Sequence, residues 1–348
     1  MSLEKYIVNF GRHIVPVDAN TVAVISSKEH FSIKGTGMSA AVENILKSFK
    51  MSTSFDDAVS VLSNKYSAAT LRKMLDLFVE KGILIRECDL EALSRHDETF
   101  LEKTFFYTKG DRPLHEIIYE LSQVHIGIIG TNRLVHSLLD ELIKGCLLTN
   151  FCVGTLSLNK EANAKPEANN VNITEYPLHS DLLVAQKIID DSDIIIAACN
   201  YFNHYFFNQV NEMCFKANKK WLRVVIDGSN IEIGPLFIPG KTCCYSCLQA
   251  KLYKNTTDKE RIFEDLYASK EFHEITRDKT IGFSSLYPLN SIAAGIASSE
   301  IMKYFTDMKC NLENEVLMID CLNFDTQKAY IFKEYSCEVC AHKDVFFA

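Results

Sequence analysis

The stretch from Val124 to Leu139 constrains the fold of this chain most. An apolar run over residues 126–129 is typical of a strand that is buried on both faces, and Gly130 ends it. Apolar residues that include Val135 and Leu138 then recur at helical spacing. A strand, a tight turn and a helix in that order open a nucleotide-binding α/β sheet, so the sequence predicts a sheet of this kind.

The alternation of strand and helix continues beyond this unit. Predicted strands cover residues 151–158, 173–176, 193–198 and 221–226, and predicted helices cover residues 179–189 and 202–219. Strands that alternate with helices indicate a parallel sheet with helices on both faces. The predicted fold class is therefore α/β, with a doubly wound Rossmann-like domain over residues 115–348.

Composition argues against several classes of protein. No segment of the 348-residue chain approaches the ~20 apolar residues of a membrane span, and the first residues lack the layout of a signal peptide. A formal net charge of -8 gives no support to a nucleic-acid binder. Twelve cysteines without a secretion signal favour a reducing cytoplasm, where thiols bind metal or lie buried. We therefore expect a cytoplasmic protein with no membrane or nucleic-acid partner.

The first 90 residues predict a separate winged-helix-like domain, and residues 91–114 a connector. Four short runs of alternating polarity indicate a small antiparallel meander. They cover residues 6–8, 13–16, 21–25 and 30–33. Three amphipathic helices follow, with Ser54 and Ser67 as predicted N-caps of the second and third. Gly82 ends the third helix before a final strand.

Three uses of such a domain stay open. One is a hydrophobic core with no ligand. Another is the capture of an extended peptide, because a short meander beside an amphipathic helix leaves an edge strand and a groove. DNA binding fits least, because the cations of the third helix are countered by carboxylates on the same helix. These residues are Arg72, Lys73 and Lys81, and Asp76 and Glu80.

Two Cys-x-x-Cys pairs, Cys244 with Cys247 and Cys337 with Cys340, predict a metal centre. Together they supply four sulfur ligands, a tetrahedral set that suits zinc and leaves no open position for a water. The zinc is therefore expected to be structural. A redox role would need one pair beside the start of a strand–helix–strand unit, and neither pair lies there. The adjacent Cys243 falls outside the spacing and is interpreted as a buried or free thiol.

The N-terminal layout resembles the precursor-recognition domain of enzymes that modify ribosomally made peptides. In that family a leader peptide pairs with the third strand and lies against the third helix. The resemblance therefore implies a peptide-binding strand and a peptide-binding helix face in this chain. The strand residues are Phe31, Ser32, Ile33 and Lys34, and the helix residues are Leu71, Met74, Leu75 and Phe78.

Three later segments resemble the ThiF family, whose adenylating fold is shared with ubiquitin-activating enzymes. They are a Gly-Pro-x-x-x-Pro-Gly-x-x-x-Cys-x-x-Cys segment at residues 234–247, residues 287–303, and the terminal cysteine pair. The resemblance covers about residues 115–343 and is nearest to members that act in peptide-antibiotic biosynthesis. It implies the sheet and one structural zinc per chain.

The nucleotide loop departs from that family's pattern. Active members carry Gly-x-Gly-Gly-x-Gly, so that backbone amides approach the phosphates. Here only Gly130 matches, while Asn132, Arg133 and Val135 carry side chains that would obstruct the approach. Asn200 stands where the family has an aspartate for magnesium. ATP binding is therefore not expected, although Arg133 could supply charge to a phosphate.

The resemblance carries two further expectations. The helix from Asn290 to Phe305 helps to build a homodimer in the family, and its small residues suit close packing. Packing within the chain is an equally open interpretation of those small residues. Residues 251–281 resemble the family's crossover segment, a mobile loop over the nucleotide site.

The leading hypothesis for function is a non-catalytic partner protein. Its N-terminal domain would bind the leader of a precursor peptide. Its body would present that peptide to a YcaO-type cyclodehydratase, which forms azolines in bacteriocin or microcin biosynthesis. The alternative is an ATP-dependent adenylyltransferase that acts on a ribosomal peptide with a degenerate nucleotide loop. A DNA-binding regulator is the third hypothesis.

Overall fold

The computed structural model divides the chain into two compact units, Met1–Ile118 (unit 1) and Tyr119–Ala348 (unit 2). It describes residues 4–9, 12–25, 30–87, 114–146, 148–156, 171–177, 182–278, 287–306 and 308–341. The predicted connector lies outside these residues except for Leu114, so the predicted domain boundaries stay predictions. None of the described helices is long and apolar enough to cross a membrane.

The described part of unit 1 combines two small antiparallel sheets with three helices. Its elements are β1 (Lys5–Val8), β2 (His13–Asp18), β3 (Thr21–Ile25), β4 (His30–Lys34), α1 (Met38–Ser48), β5 (Thr53–Ser54), α2 (Phe55–Leu62), α3 (Ala68–Glu80) and β6 (Leu84–Arg86). The predicted caps are confirmed, since the Ser54 and Ser67 side chains accept the backbone N–H groups of Asp57 and Thr70.

The predicted meander is wrong in its first strand. Strands β2, β3 and β4 form one sheet in that order, whereas β1 pairs with β5 and β6. The reason is burial: the ring of Tyr6 on β1 stacks on Phe55 at 4.3 Å and joins the hydrophobic core of unit 1. Local alternation of polarity cannot reveal partners so distant in the sequence.

Unit 2 is built around a sheet that has eight strands among the described residues. Helix α4 (Leu114–Gln123) crosses from unit 1 into unit 2. The elements after it are β7 (His125–Gly130), α5 (Asn132–Cys146), β8 (Asn150–Thr155), β9 (Asn172–Pro177), α6 (Leu182–Asp190), β10 (Ile194–Cys199), α7 (His204–Lys216), β11 (Lys220–Asp227), β12 (Asn230–Phe237), α8 (Tyr245–Asn255), α9 (Asp258–Tyr267), α10 (Lys270–Asp278), α11 (Tyr287–Phe305), β13 (Glu315–Asp320) and β14 (Asp325–Tyr330).

The sheet confirms the predicted α/β fold. Its order is β14-β13-β12-β11-β10-β7-β8-β9. Strands β11, β10, β7, β8 and β9 run parallel, as predicted, and β12, β13 and β14 extend the sheet antiparallel. Strand β7 lies near the middle, so the turn between β7 and α5 opens at the carboxyl end of the parallel strands, where open α/β sheets bind their ligands.

The prediction of a loop is wrong over residues 251–278, and residues 279–281 of that prediction lie outside the described residues. Helix α8 continues to Asn255, and α9 and α10 follow it. Thr257 starts α9 with a capping box, in which its hydroxyl accepts the N–H of Glu260 while the Glu260 carboxylate accepts the N–H of Thr257. The segment is therefore helical despite its high charge.

The small residues of α11 serve packing within the chain. Ala293, Ala294 and Ala297 are fully buried, and α11 lies against α5. The thiol of Cys146 on α5 donates to the carbonyl of Ser298 on α11 at 3.8 Å. These three alanines therefore offer no surface to a second copy of the chain, whereas Gly295 is partly exposed.

Candidate functional site

Gly130 has a structural role that needs no nucleotide. A Cβ atom at this position would lie 1.7 Å from the carbonyl oxygen of Ala198 on the neighbouring strand β10. The next residue, Thr131, donates its N–H to the same carbonyl at 2.9 Å. The close approach of β7 and β10 therefore requires glycine here, whether or not a phosphate binds.

At the position where the family has an aspartate for magnesium, this chain has a hydrogen-bonded amide. Asn200 follows β10, and its side-chain oxygen accepts a 2.5 Å hydrogen bond from the Thr131 hydroxyl. Its amide nitrogen donates to the side-chain oxygen of Asn290 on α11 at 2.8 Å. Asn290 is fully buried and Asn200 is buried. A neutral amide held on both sides ties α11 to the turn after β7 and supplies no charge for a cation.

The other residues of the predicted nucleotide loop lie in the first turn of α5, where one is buried and another exposed. Helix α5 begins at Asn132, so the residues after it belong to the first turn of a helix. Val135 is fully buried, whereas the prediction places its side chain in the way of a phosphate. Arg133 is exposed in the first turn. A cation at a helix N-terminus opposes the helix dipole unless an anion lies near it.

The Gly-Pro segment leads the chain from β12 into the first cysteine pair. Gly234 has φ +91°, and a Cβ there would lie 2.5 Å from the carbonyl oxygen of Glu315 on β13. Further on, Gly240 turns the chain with φ +82°. The buried Thr242 hydroxyl closes this turn by accepting the N–H of Ile238 at 2.7 Å. The residues of the Gly-Pro motif are therefore explained by the tight path of the backbone from β12 to the first cysteine pair.

The four cysteines of the two pairs lie together in a buried cluster. The sulfur of Cys244 lies 3.8 Å from that of Cys247 and 3.4 Å from that of Cys337, and Cys247 lies 3.4 Å from Cys340. All four sulfurs lie within 4.8 Å of one another. A zinc ion with bonds of ~2.3 Å to four sulfurs has S···S edges of about 3.8 Å. The cluster therefore fits a tetrahedral metal ion of this size.

Local structure favours the thiolate form of Cys247 within this cluster. Cys247 lies in the first turn of α8, whose N-terminal end favours negative charge. Hydrogen bonds from Cys244 and Cys340 and from the backbone N–H of Glu334 lower the pKa of Cys247. Cys243 is buried outside the cluster, and burial raises the pKa of its thiol. The cluster can hold a metal, whereas Cys243 behaves as a core residue.

A buried polar network that has no local signature in the sequence lies next to the cysteine cluster. His204 on α7 contacts the Tyr245 hydroxyl through Nδ1 at 2.6 Å and the carboxylate of Glu264 on α9 through Nε2 at 2.8 Å. The Tyr245 side chain also contacts Arg223, whose guanidinium donates to Glu232 at 2.7 Å. Both ring nitrogens of His204 have a partner if the Tyr245 hydroxyl donates to Nδ1 and Nε2–H donates to Glu264. This polar network therefore connects α9 to the sheet beside Cys244.

Strand β4, which carries the predicted peptide-binding residues, is an edge strand. Among the described residues it pairs only with β3. The Gly35 N–H donates to the Asn20 carbonyl at 2.9 Å, which sets the alternation of the antiparallel ladder. By this alternation Phe31 and Ile33 bond to β3, while the N–H groups of Ser32 and Lys34 point to the open edge.

The opposite edge of the same sheet is less suited to strand addition. It is formed by β2, which contains Pro16. Proline has no N–H and blunts an edge strand. Strand β4 has no proline, so it is the more receptive edge of the two.

The predicted helix face on α3 lies mostly in the core. Leu71, Leu75 and Phe78 have no exposed surface, and only Met74 is partly exposed. On β4, Phe31 is partly buried and Ile33 is buried, while Ser32 and Lys34 are exposed. The residues of this set that offer surface to a peptide are therefore Phe31, Ser32, Lys34 and Met74.

The same architecture occurs in solved structures. The E. coli enzyme MccB, solved with AMPCPP and MccA, superposes with a TM-score of 0.66 at 15% identity, over 97% of this chain and 99% of that one. The heterocyclase TruD superposes with a TM-score of 0.67 at 13% identity, over 97% of this chain and 43% of that one. A heterocyclase in complex with substrate and cofactor gives 0.66 at 14% identity, over 97% and 39%. This chain thus spans about two fifths of the heterocyclase chains.

Sequence comparison identifies the family. Protein HesA of Nostoc sp. (strain PCC 7120) is 22% identical over 227 residues, which cover 63% of this chain and 79% of that protein. The model of the ThiF family matches residues 158–339, more than half of the chain and most of unit 2. The match includes Asn200, the Gly-Pro segment and three of the four clustered cysteines, with Cys340 directly after it. The protein therefore belongs to the ThiF family.

Proposed function

We propose that this protein is a non-catalytic partner in the modification of a ribosomally made peptide. Unit 1 binds the leader segment of the precursor peptide by strand addition at β4. Unit 2 is a scaffold that presents the rest of the peptide to a separate YcaO-type cyclodehydratase, which forms azolines. The protein acts in the cytoplasm, where such precursor peptides are made.

The open edge of β4 is the observation that carries this proposal. An added strand forms backbone hydrogen bonds with the outward N–H groups of Ser32 and Lys34 and gains affinity without a specific sequence. Phe31 faces the core side of the sheet and is partly exposed, so it gives an apolar side chain of the peptide a contact. The edge therefore suits an extended peptide with alternating apolar residues.

The geometry of unit 2 supports a scaffold without adenylating activity. Adenylation requires a magnesium ligand and a phosphate cradle. Asn200 offers a neutral amide that Thr131 and Asn290 already hold. The cysteine cluster has four protein ligands, so a zinc ion there clips the end of the chain to α8 and leaves no position for a reacting water.

The structural neighbours support the kind of substrate and partner. MccB is solved with MccA, and a heterocyclase is solved with its substrate. This chain matches about two fifths of each heterocyclase chain. A homodimer also belongs to this proposal, as the family resemblance implies.

Titration with the leader peptide tests this function. The probe is the leader of the precursor peptide encoded next to the gene, titrated calorimetrically into the full chain. Ser32→Pro removes one outward N–H without breaking a bond to β3, and we expect at least about tenfold weaker binding, or 1.4 kcal/mol. The matched control, Ser32→Ala, keeps the N–H and should bind like the wild type. No binding by the wild type, or equal binding by both variants, would exclude strand addition at β4.

One observation keeps the adenylyltransferase as a second candidate. Arg133 is exposed in the first turn of α5, where its charge would favour an anion such as a phosphate group. If nucleotide binds there, Arg133→Ala should weaken the binding of a fluorescent ATP analogue about tenfold, while Arg133→Lys should retain part of it. If no variant changes the signal, this candidate loses its support.

A further inference from the structure

Helix α9 is turned with Arg261 and Glu264 inward and its large apolar side chains outward. Glu264 reaches the buried His204 at 2.8 Å, and Arg261 lies over the ring of Tyr253 at 5.2 Å. The exposed fractions of Ile262, Phe263 and Leu266 are 69%, 57% and 46%. A surface helix ordinarily buries its apolar stripe and exposes its charges. We call these three outward residues the α9 face.

The contacts of α9 fix this rotation. The capping box at Thr257 sets where the helix begins, and the Glu264 carboxylate anchors its middle through His204. At its end, the Tyr267 ring lies 5.1 Å from Phe272 and 6.4 Å from Phe202. Turning the helix to bury the α9 face would break the contact between Glu264 and His204 and expose the Tyr267 ring. The face is therefore a stable feature of the folded protein.

The charges around the α9 face indicate what can cover it. Helix α9 contains four carboxylates and two cationic residues, and Glu260 and Asp265 are exposed carboxylates on it. The whole chain also carries a net charge of -8. A second copy would bring carboxylates against carboxylates at this face, which is unfavourable. A partner with an apolar stripe flanked by lysine or arginine is complementary in both respects.

We propose that the α9 face is a docking site for a separate protein that presents a basic amphipathic helix. Ile262, Phe263 and Leu266 pack against the apolar stripe of that helix, and Asp265 and Glu260 pair with its basic flanks. Apolar contact at the centre supplies most of the affinity, and the charged rim sets the choice of partner. The site involves none of the residues of β4, so it goes beyond leader binding and is tested separately.

A pair of synthetic peptides tests the docking site on the full chain. The probe is a labelled 18-residue amphipathic helix of leucine and lysine, and its counterpart replaces every lysine by glutamate. We expect the lysine peptide to bind and the glutamate peptide not to bind, measured by fluorescence anisotropy at physiological salt. Ile262→Ser combined with Phe263→Ser should weaken binding at least about tenfold. The matched control, Val61→Ser on α2, removes an equally exposed apolar side chain and should change nothing.

The outcomes separate the possible occupants. Equal binding of both peptides, or binding that the double variant leaves unchanged, would overturn the proposal. Sedimentation velocity gives a further check: a wild-type dimer that the double variant converts to monomer would mean that a second copy covers the face, which also overturns it. If the double variant melts at a lower temperature than the wild type, Leu266→Ser replaces it in both measurements.

Discussion

The hydroxyl of Thr131 donates a 2.5 Å hydrogen bond to the side-chain oxygen of Asn200, and the same hydroxyl accepts the backbone N–H of Asn200 at 3.1 Å. The two residues follow neighbouring parallel strands, β7 and β10, at the carboxyl end of the sheet, where a nucleotide would bind. Asn200 passes the connection on to Asn290 of α11. At this end of the sheet, hydrogen bonds therefore form a structural joint that connects two strands and a helix.

Removing the Thr131 hydroxyl should destabilise unit 2. Thr131→Val keeps the shape of the side chain but leaves two polar groups of Asn200 without this partner, which costs about 1–3 kcal/mol in the free energy of unfolding. Thr131→Ser keeps the hydroxyl and should cost less. Urea unfolding measures both, followed by the fluorescence of Trp221, which is buried in unit 2 and is the chain's single tryptophan. Equal stability of the two variants would show that the joint contributes nothing.

The cysteine cluster should hold one zinc ion per chain. Cys247→Ser removes one of four ligands, so the purified variant should lose metal and melt at a lower temperature, because metal binding stabilises the folded state. Elemental analysis and thermal unfolding are the measurements. Cys243→Ser changes the adjacent thiol outside the cluster and should keep its metal. A wild type purified without metal from zinc-rich medium would contradict the assignment.

Glu300 should make the stability of unit 2 sensitive to acid. Burial alone would raise the pKa of this carboxyl, but hydrogen bonds from Lys303, Cys310 and Asn311 outweigh it and lower the pKa. A lowered pKa in the folded state means that stabilisation is present above the ordinary value of about 4.3 and is lost as the pH falls through the folded value. Glu300→Gln should therefore cost about 2 kcal/mol at pH 7.

The pH profile distinguishes this effect from a simple loss of packing. The difference in unfolding free energy between wild type and Glu300→Gln should shrink as the pH falls below about 4.3. Urea unfolding between pH 3 and pH 7 measures it. A difference that stays constant over this range would mean that the charge of Glu300 is not what stabilises the fold.

Breaking the buried polar network should weaken the attachment of α9 to the rest of unit 2. Tyr245→Phe removes the hydroxyl that contacts His204 and Arg223, and Glu264→Ala removes the carboxylate at the other end. Both variants should be cleaved faster by trypsin within residues 251–278, because local opening exposes the backbone. Glu264→Gln keeps an oxygen that can accept from Nε2 and should protect partly. Cleavage rates equal to the wild type would show that other contacts hold the helix.

Local signals in the sequence predicted much of the fold. The apolar run before Gly130 and the helical spacing after it define β7 and α5 without reference to any distant residue. Ser54 and Ser67 mark the starts of α2 and α3 because an N-cap hydroxyl acts within three residues. The cysteine pairs were recognisable because each pair lies on one turn of the chain.

What the sequence could not predict depends on contacts between distant segments. Asn200 and Asn290 are 90 residues apart, so their hydrogen bond has no local signature. Leu75 belongs to an amphipathic stripe, but only the packed core shows that the stripe is buried and not open to a peptide. The loop prediction for residues 251–281 follows from their high charge and from the family resemblance. Only the folded structure shows that α9 exposes its apolar residues, which is the reverse of the usual helical pattern.

We propose that this ThiF-family protein binds a peptide without adenylating it. The most direct test is isotope exchange between pyrophosphate and ATP, with magnesium, the full chain and its precursor peptide. We expect the exchange to be no faster than in a reaction without protein, and its rate to stay the same when Arg133 is replaced by alanine. Rapid exchange that depends on the peptide and disappears in Arg133→Ala would contradict it.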